Sequence, residues 1–324
     1  MKKTICSGLF VLFLCAASVC LTPGPASASP SENAVSASSA SFDMGKVARF
    51  GFGNILLGGW TPQDGWVNAD QLQSLERFYS LRIWGGEACR VVGLNGTKEK
   101  EAVISAIHSD HSGEFKGAMP GVPSFDIHTS SGVIKAPSGL LAILCEWEVQ
   151  PRKVTVMNTG SATYQAIMQK FLATKGLPVE KPSLVQLFKI DLEGDGVDEV
   201  LICAQNIASR GEAGFETDKP LVTGGALPGA AHPGAYSVLM LRKIVNGKVL
   251  ELPLHVFVSP RGSAPGDEDW TPPVIGKVCQ FSDLNGDGVL EIIVATAFCE
   301  GYAYHAFEVK GGKVREVLAN GVGG

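Results

Sequence analysis

Two short stretches of this chain carry oxygen donors at spacings that suit a cation. The first is Asp191-Leu-Glu-Gly-Asp-Gly-Val-Asp-Glu199 and the second Asp283-Leu-Asn-Gly-Asp-Gly-Val-Leu-Glu291. In the second, Asp283, Asn285 and Asp287 offer side-chain oxygens at positions 1, 3 and 5. Gly288 permits the positive φ needed to fold the chain back, Val289 can present its carbonyl, and Glu291 adds an acid at position 9. Several anionic hard oxygens on a tight glycine-bearing turn suit Ca²⁺. Zn²⁺ would ask for His or Cys, which the loop lacks, and Mg²⁺ for stricter octahedral geometry. In the first copy the matching donors are Asp191, Glu193, Asp195, the Val197 carbonyl and Glu199, so up to two Ca²⁺ ions are expected. Glu193 brings more charge and a longer side chain than Asn285. The rival reading is a plain Asp/Gly turn that solvates its acids. An EF-hand is excluded, because position 12 is Ile202 or Val294, each inside a β-branched run rather than a helix.

The elements around the loops repeat with them. Seven of nine loop positions are identical at an offset of 92 residues, and each loop lies between apolar runs: Leu184–Ile190 and Val200–Ala204, Val274–Phe281 and Ile292–Thr296. Strands then start at Ala235-Tyr236 and Ala303-Tyr304 and lead to Gly247-Lys248-Val249 and Gly312-Lys313-Val314. Each unit therefore reads strand, acidic loop, strand, strand, turn, strand, a four-stranded antiparallel meander like one propeller blade. The first unit also carries a Gly-, Ala- and Pro-rich excursion from about Asn206 to Pro233.

The expected fold is mainly β: propeller-blade-like meanders of a partial or degenerate propeller, with one or two helices. Two blades cannot close a ring, so residues 50–150 are expected to supply degenerate blades or a separate cap, and residues 151–324 to hold both repeats. A helix is expected over 161–175, with Ser161 as N-cap, an apolar stripe of Tyr164, Ile167, Met168, Phe171 and Leu172, and Gly176 and Pro178 to close it. Upstream, Gln63-Asp64-Gly65 marks a hairpin, Ala69–Phe78 a short helix, Ile83-Trp84 and Arg90–Val92 strands, and Gly139–Val149 another strand.

The loop pattern D-x-[DN]-x-D-G-x-x-E between strands resembles the calcium loop of FG-GAP/VCBS repeats, as in the propeller head of integrin α-chains, although position 9 there is usually Asp. The wider chain resembles exported bacterial FG-GAP/VCBS repeat-containing proteins of unassigned function. Leu56–Trp60, Pro151-Arg152-Lys153, the 161–176 helix, Phe188–Ala204, Tyr236–Val249 and Phe281–Leu318 carry the resemblance. It implies calcium binding and export and brings no catalytic residues.

Residues 1–28 read as a signal peptide: Lys2 and Lys3, an apolar run from Ile5 to Leu21, and Ala26-Ser27-Ala28 as the exit. A lipoprotein anchored through Cys20 is the minor alternative, since Val19 is bulky for the residue before an acylated cysteine. Residues 29–49 read as a flexible Ser/Ala-rich linker. The net charge of −5 becomes more negative once the two leader lysines are removed, which speaks against a nucleic-acid partner. With 45% hydrophobic and 18% charged residues the chain is globular, and no transmembrane span is expected in the mature chain.

Of the five cysteines outside the leader, Cys279 and Cys299 are spaced evenly about Val289. A cross-strand disulfide between them competes with buried free thiols. Other constellations carry less. His108, Asp110, His111 and Glu114 read as a solvated loop before a transition-metal site. His128, His232, His255 and His305 read as structural. Asp267-Glu268-Asp269 beside Trp270 reads as an acidic turn, with carbohydrate stacking as the sharper alternative, and Asn95-Gly96-Thr97 reads as a turn before a glycosylation site. No hydrolase elbow, zinc helix, Cys-x-x-Cys pair or phosphate loop is present. The expected function is an exported, calcium-binding, non-enzymatic module for an envelope or exterior protein or glycan. A secreted hydrolase and a purely structural envelope protein are the alternatives.

Overall fold

The computed structural model describes residues 48–323, apart from 53–54, 70, 72–86, 95, 105–126, 131, 135–139, 208–226, 269 and 300. The leader, residues 29–47 of the linker, most of the 69–78 helix, Ile83-Trp84, Asn95, the His108–Glu114 cluster and most of the 206–233 excursion fall outside these residues, while Ala48 and Arg49, expected in the linker, already belong to the first strand. All described residues belong to one compact unit, Asp43–Gly324.

The first eight strands are β1 (Ala48–Phe52), β2 (Ile55–Thr61), β3 (Gly65–Asn68), β4 (Glu87–Gly93), β5 (Gly96–Ile104), β6 (Ile127–Thr129), β7 (Gly132–Ile134) and β8 (Leu141–Leu144). They form a single antiparallel sheet in the order β3-β2-β1-β8-β4-β5-β6-β7. The β2–β3 turn closes where expected, with Gly65 at φ 70° and the Thr61 hydroxyl donating to Asp64 at 2.9 Å. β8 is shorter than the 139–149 strand expected from sequence. Past Leu144 the backbone leaves the ladder, and Arg90 Nη2 donates to the Cys145 and Trp147 carbonyls at 3.1 and 2.7 Å.

Next come β9 (Thr155–Val156), helix α1 (Ala162–Thr174), β10 (Leu184–Ile190), β11 (Glu199–Gln205), β12 (Ala235–Val245) and β13 (Lys248–Ser259). These strands pair as β13-β12-β11-β10-β9. The last sheet holds β14 (Ile275–Ser282), β15 (Glu291–Phe298), β16 (Gly301–Lys310) and β17 (Lys313–Gly323) in sequence order. The protein is thus mainly β; among the described residues its antiparallel sheets form no closed barrel and α1 is the one full helix.

Both repeat units are the expected meander. Each closes its last hairpin with a two-residue turn at positive φ: Asn246 and Gly247 at 51° and 73°, Gly311 and Gly312 at 55° and 73°. That is the geometry whose twist matches paired strands. The runs after the acidic loops, Ile202–Ala204 and Ile292–Ala295, are at most 1% exposed. They read as continuous apolar runs rather than alternating ones because both faces of each strand are covered.

One core region joins Phe188, Leu201 and Leu239 of the first unit to Phe281, Ile292 and Val309 of the second, with Phe188 and Phe281 edge-to-face at 5.8 Å. Another joins Leu57 and Ile143 to Ile293, Tyr304 and Leu318. The Gln186 side chain bonds the neighbouring sheet as a strand would, taking the Val278 N–H at 2.9 Å and donating to the Val278 carbonyl at 3.1 Å.

In α1, Met168 and Leu172 are fully buried, and Tyr164, Ile167 and Phe171 pack partly buried against the same cluster as Leu187, Ile202 and Tyr236. Ser161 sits at the N-cap position, but its hydroxyl makes no capping bond. The helix ends with Gly176 N–H on the Ala173 carbonyl and Leu177 N–H on Leu172, which satisfies two terminal carbonyls.

The Cys279–Cys299 pairing is not formed: none of the five cysteines among the described residues is joined in a disulfide. The ladder pairs Ser282 with Glu291 and Ile275 with Ala297, so the hairpin turns between Gly286 and Asp287, not at Val289. Cys279 therefore lies in the bulge opposite Ile293 and Val294, while Cys299 lies beyond the end of β15. Burial pushes the Cys279 thiol up to about 11.

Candidate metal centres

The second acidic loop leaves β14 at Asp283, whose N–H donates to the Val149 carbonyl at 2.8 Å. Gly286 and Gly288 take φ of 74° and 83° and bend the chain back on itself. The loop's own side chains then hold it. Asp283 accepts from Gly286 N–H at 2.7 Å on Oδ1 and from Gly288 N–H at 2.9 Å on Oδ2. Asn285 Oδ1 accepts from Asp287 N–H at 3.0 Å, and Asp287 Oδ1 from Val289 N–H at 2.9 Å. Glu291 reaches back from the start of β15, where its Oε2 accepts the Leu284 N–H at 2.8 Å.

The other Glu291 oxygen, Oε1, is buried and has no hydrogen-bond partner. The residue is 0% exposed. Burial pushes its carboxyl well above the usual carboxylate range, and the charges of Asp287, Asp283 and Glu308 push the same way. Burial raises Asp283 too, against the N–H bonds from Gly288 and Gly286. Two cations stand near. Lys310 Nζ lies 3.0 Å from both Asp287 Oδ2 and Glu308 Oε1, and Arg315 Nη2 lies 2.9 Å from Glu308 Oε2. Both are more than half exposed, and neither contact reaches Glu291.

The first loop repeats these bonds. Asp191 accepts from Gly194 N–H at 2.6 Å, Asp195 N–H at 3.2 Å and Gly196 N–H at 2.9 Å. Asp195 Oδ1 accepts from Val197 N–H at 2.9 Å, and Glu199 Oε2 from Leu192 N–H at 2.9 Å. Partial burial opposes the Asp191 charge, but the N–H bonds and Arg152 outweigh it and lower the carboxyl below its ordinary value. The loops differ at the ninth position. Glu199 Oε1 accepts from Lys243 Nζ at 2.8 Å, and Glu193 Oε2 takes the same ammonium at 2.5 Å. Lys243 is 4% exposed; burial works against its charge, and the two glutamates outweigh burial and hold it protonated.

The two loops lie side by side. Arg152 Nε donates to the Asp191 carbonyl at 2.6 Å, and its Nη2 donates to the Leu192 and Gly288 carbonyls at 2.8 and 2.6 Å. Leu290 N–H adds a bond to Leu192. Trp147 donates its indole N–H to the Asp283 carbonyl at 2.9 Å, with its ring against Gly286, where a Cβ would meet it at 3.1 Å.

Among the described residues no three His, Cys, Asp or Glu side chains stand in an arrangement that could hold a metal ion directly, so an ion at the second loop has to draw its acids together. The donor chemistry there fits Ca²⁺: oxygens only, and a buried carboxylate oxygen with nothing to bond. At the first loop the ninth-position acid already accepts from an ammonium. Sequence reasoning missed Lys243, Glu308, Arg152 and Trp147. Aligning the third strands from their closing turns, Gly247 with Gly312, would have flagged Lys243 and Glu308, since they then fall at one position of the unit with opposite charges.

Elsewhere, His305 bridges Thr296 Oγ1 at 3.0 Å and Glu316 Oε2 at 2.8 Å across β15, β16 and β17. Trp270 donates its indole N–H to the Gly229 carbonyl at 3.0 Å, and Asp267 accepts the Ala264 N–H at 2.6 Å. No helix among the described residues is long and apolar enough to cross a membrane. No family model, curated protein or solved structure matches the chain.

Proposed function

We propose that this chain is an exported binding module whose second repeat is stabilised by Ca²⁺, with a protein or glycan of the cell envelope or exterior as its partner. The observation that carries the calcium reading is Glu291 Oε1, a buried carboxylate oxygen left without a partner beside Asp283, Asp287 and Glu308. A charge removed from water must be neutralised or paired. Asp283, Asn285, Asp287, Glu291 and the Val289 carbonyl would hold the ion, which supplies the missing positive charge and pins β14 to β15. Export rests on the leader pattern of residues 1–28, and the acidic balance argues against nucleic acid.

The test is calorimetry and thermal melting of chelator-stripped protein. Calcium at about a hundred times its dissociation constant adds about 2.7 kcal/mol, roughly 4 °C for a chain of this size. Asp283→Ala and Asp287→Ala should remove the shift. No heat and no shift in the wild-type protein would sink the reading. Recovery of a partner from envelope extracts only when calcium is present separates a binding module from a purely structural component.

One observation favours a hydrolase as the second reading: Thr296, His305 and Glu316 form a hydroxyl–imidazole–carboxylate row of the kind that activates a nucleophile. An ester, glycoside and phosphoester screen, with Thr296→Ala as the control, tests it. Activity that survives this substitution removes the row from consideration.

A further inference from the structure

The repeated loops share their backbone bonds and differ in their counter-charge, and the strand register shows how. Val200 pairs with Arg242 in the first unit, and Ile292 pairs with Phe307 in the second. One step further along each ladder, Glu199 faces Lys243 and Glu291 faces Glu308. An acid faces a base in one repeat and an acid in the other. All four side chains lie in the interior, at 2% and 4% exposure in the first unit and 0% and 6% in the second.

We propose that the first loop carries its own cation, the Lys243 ammonium, in place of a metal ion, so that the protein takes up a single Ca²⁺, at the second loop. The second half of this statement rests on the function proposed above; the first half stands on the geometry of Lys243 alone.

This account gives Glu193 a role. At the third loop position, where the second repeat has Asn285, its longer side chain reaches Lys243 Nζ at 2.5 Å while Glu199 holds the same nitrogen at 2.8 Å. Two carboxylates around one buried ammonium leave Glu199 with a partner on each oxygen, Leu192 N–H and Lys243. A divalent ion entering there would have to expel an ammonium from the interior and leave it without its acids. Lys310 in the second unit differs on both counts. It is 56% exposed, so it can swing into water, and it sits on Asp287 and Glu308, leaving Glu291 Oε1 bare.

The test counts bound calcium by isothermal titration of the stripped protein and assigns it with variants. The wild-type chain should bind one equivalent, lost in Asp283→Ala and kept in Asp191→Ala. Lys243→Gln should melt lower than wild type in chelator, recover with calcium, and bind a second equivalent that Asp191→Ala removes. Glu308→Lys should install the first loop's arrangement in the second and abolish the single site.

Two equivalents in the wild-type protein, one of them lost in Asp191→Ala, would overturn this inference and leave the proposed function standing. No binding in wild type would overturn the proposed function and the single-ion count. The ammonium's role would then be decided by Lys243→Gln in chelator, where a melting temperature equal to wild type overturns it. Should Lys243→Gln not be recovered folded, Glu193→Asn copies the third position of the second loop and releases one anchor of the lysine. It should lower the melting temperature in chelator, and an unchanged value counts against the proposal in the same way.

Discussion

Glu291 shows why a single atom can decide what a loop does. Its Oε2 is spent on the Leu284 N–H, which shapes the turn, while Oε1 lies in the interior with nothing to accept from. Keeping that oxygen charged costs free energy, so the carboxyl either takes up a proton or pairs with a cation. Glu291→Gln should therefore melt no lower than wild type in chelator, because Oε1 has no bond to lose, and should lose the calcium response entirely. Differential scanning calorimetry with and without calcium reads both effects. The matching change in the first loop, Glu199→Gln, should behave in the opposite way and destabilise the protein in either condition. It leaves the Lys243 ammonium to Glu193 alone, so the cost stays below the about 3–5 kcal/mol of a buried pair broken outright.

At the level of elements, the segment between β8 and β9 is the strap that fixes both loops. Arg152 reaches three carbonyls on two loops with one guanidinium. Arg152→Ala should cost about 2–4 kcal/mol, since bonds from a charged donor are the stronger kind, and Arg152→Lys should recover little of it because an ammonium lacks the planar fork. Urea denaturation midpoints measure the difference. Trp147 lies on Gly286 and donates to Asp283, so its emission should change when calcium draws the second loop together. Trp147→Phe should abolish the change while leaving calorimetric binding in place. Gly286 sits at φ 74°, where a side chain is strained, and a Cβ would lie 3.1 Å from the Trp147 ring, so Gly286→Ala should weaken both the packing and the ion site.

For the molecule as a whole, the sheets meet through a polar and apolar seam that includes one titrating group. His255 of β13 packs over Gly276 of β14, where a Cβ would come within 2.8 Å of the ring, and its Nε2 lies 3.3 Å from the Val274 carbonyl. Its pKa is pulled down to about 4, chiefly by burial, with the Val274 contact opposing and the neighbouring His305 adding to the fall. The unfolded chain binds this proton near 6.5, so the folded state holds fewer protons between those values. The stabilisation is complete above about pH 6.5 and is lost as the pH falls toward 4. It amounts to about 3 kcal/mol at most. His255→Gln should flatten the melting temperature against pH across that window, while the calcium response at neutral pH stays intact.

What was legible in the sequence was local. The glycines that bend the acidic loops, the aspartates spaced along them, the turns at Gly247 and Gly312 and the apolar stripe of α1 each act within a few residues, so spacing alone exposes them. The four-stranded meander followed from repeating those signals. The cation of each loop was decided elsewhere. Lys243 reaches Glu199 across 44 residues of sequence and Arg152 reaches Gly288 across 136. Those meetings depend on strand register and on how the sheets bury one another. Two loops identical at seven of nine positions thus ended with opposite charges facing their last acid, because the facing residue belongs to a different strand.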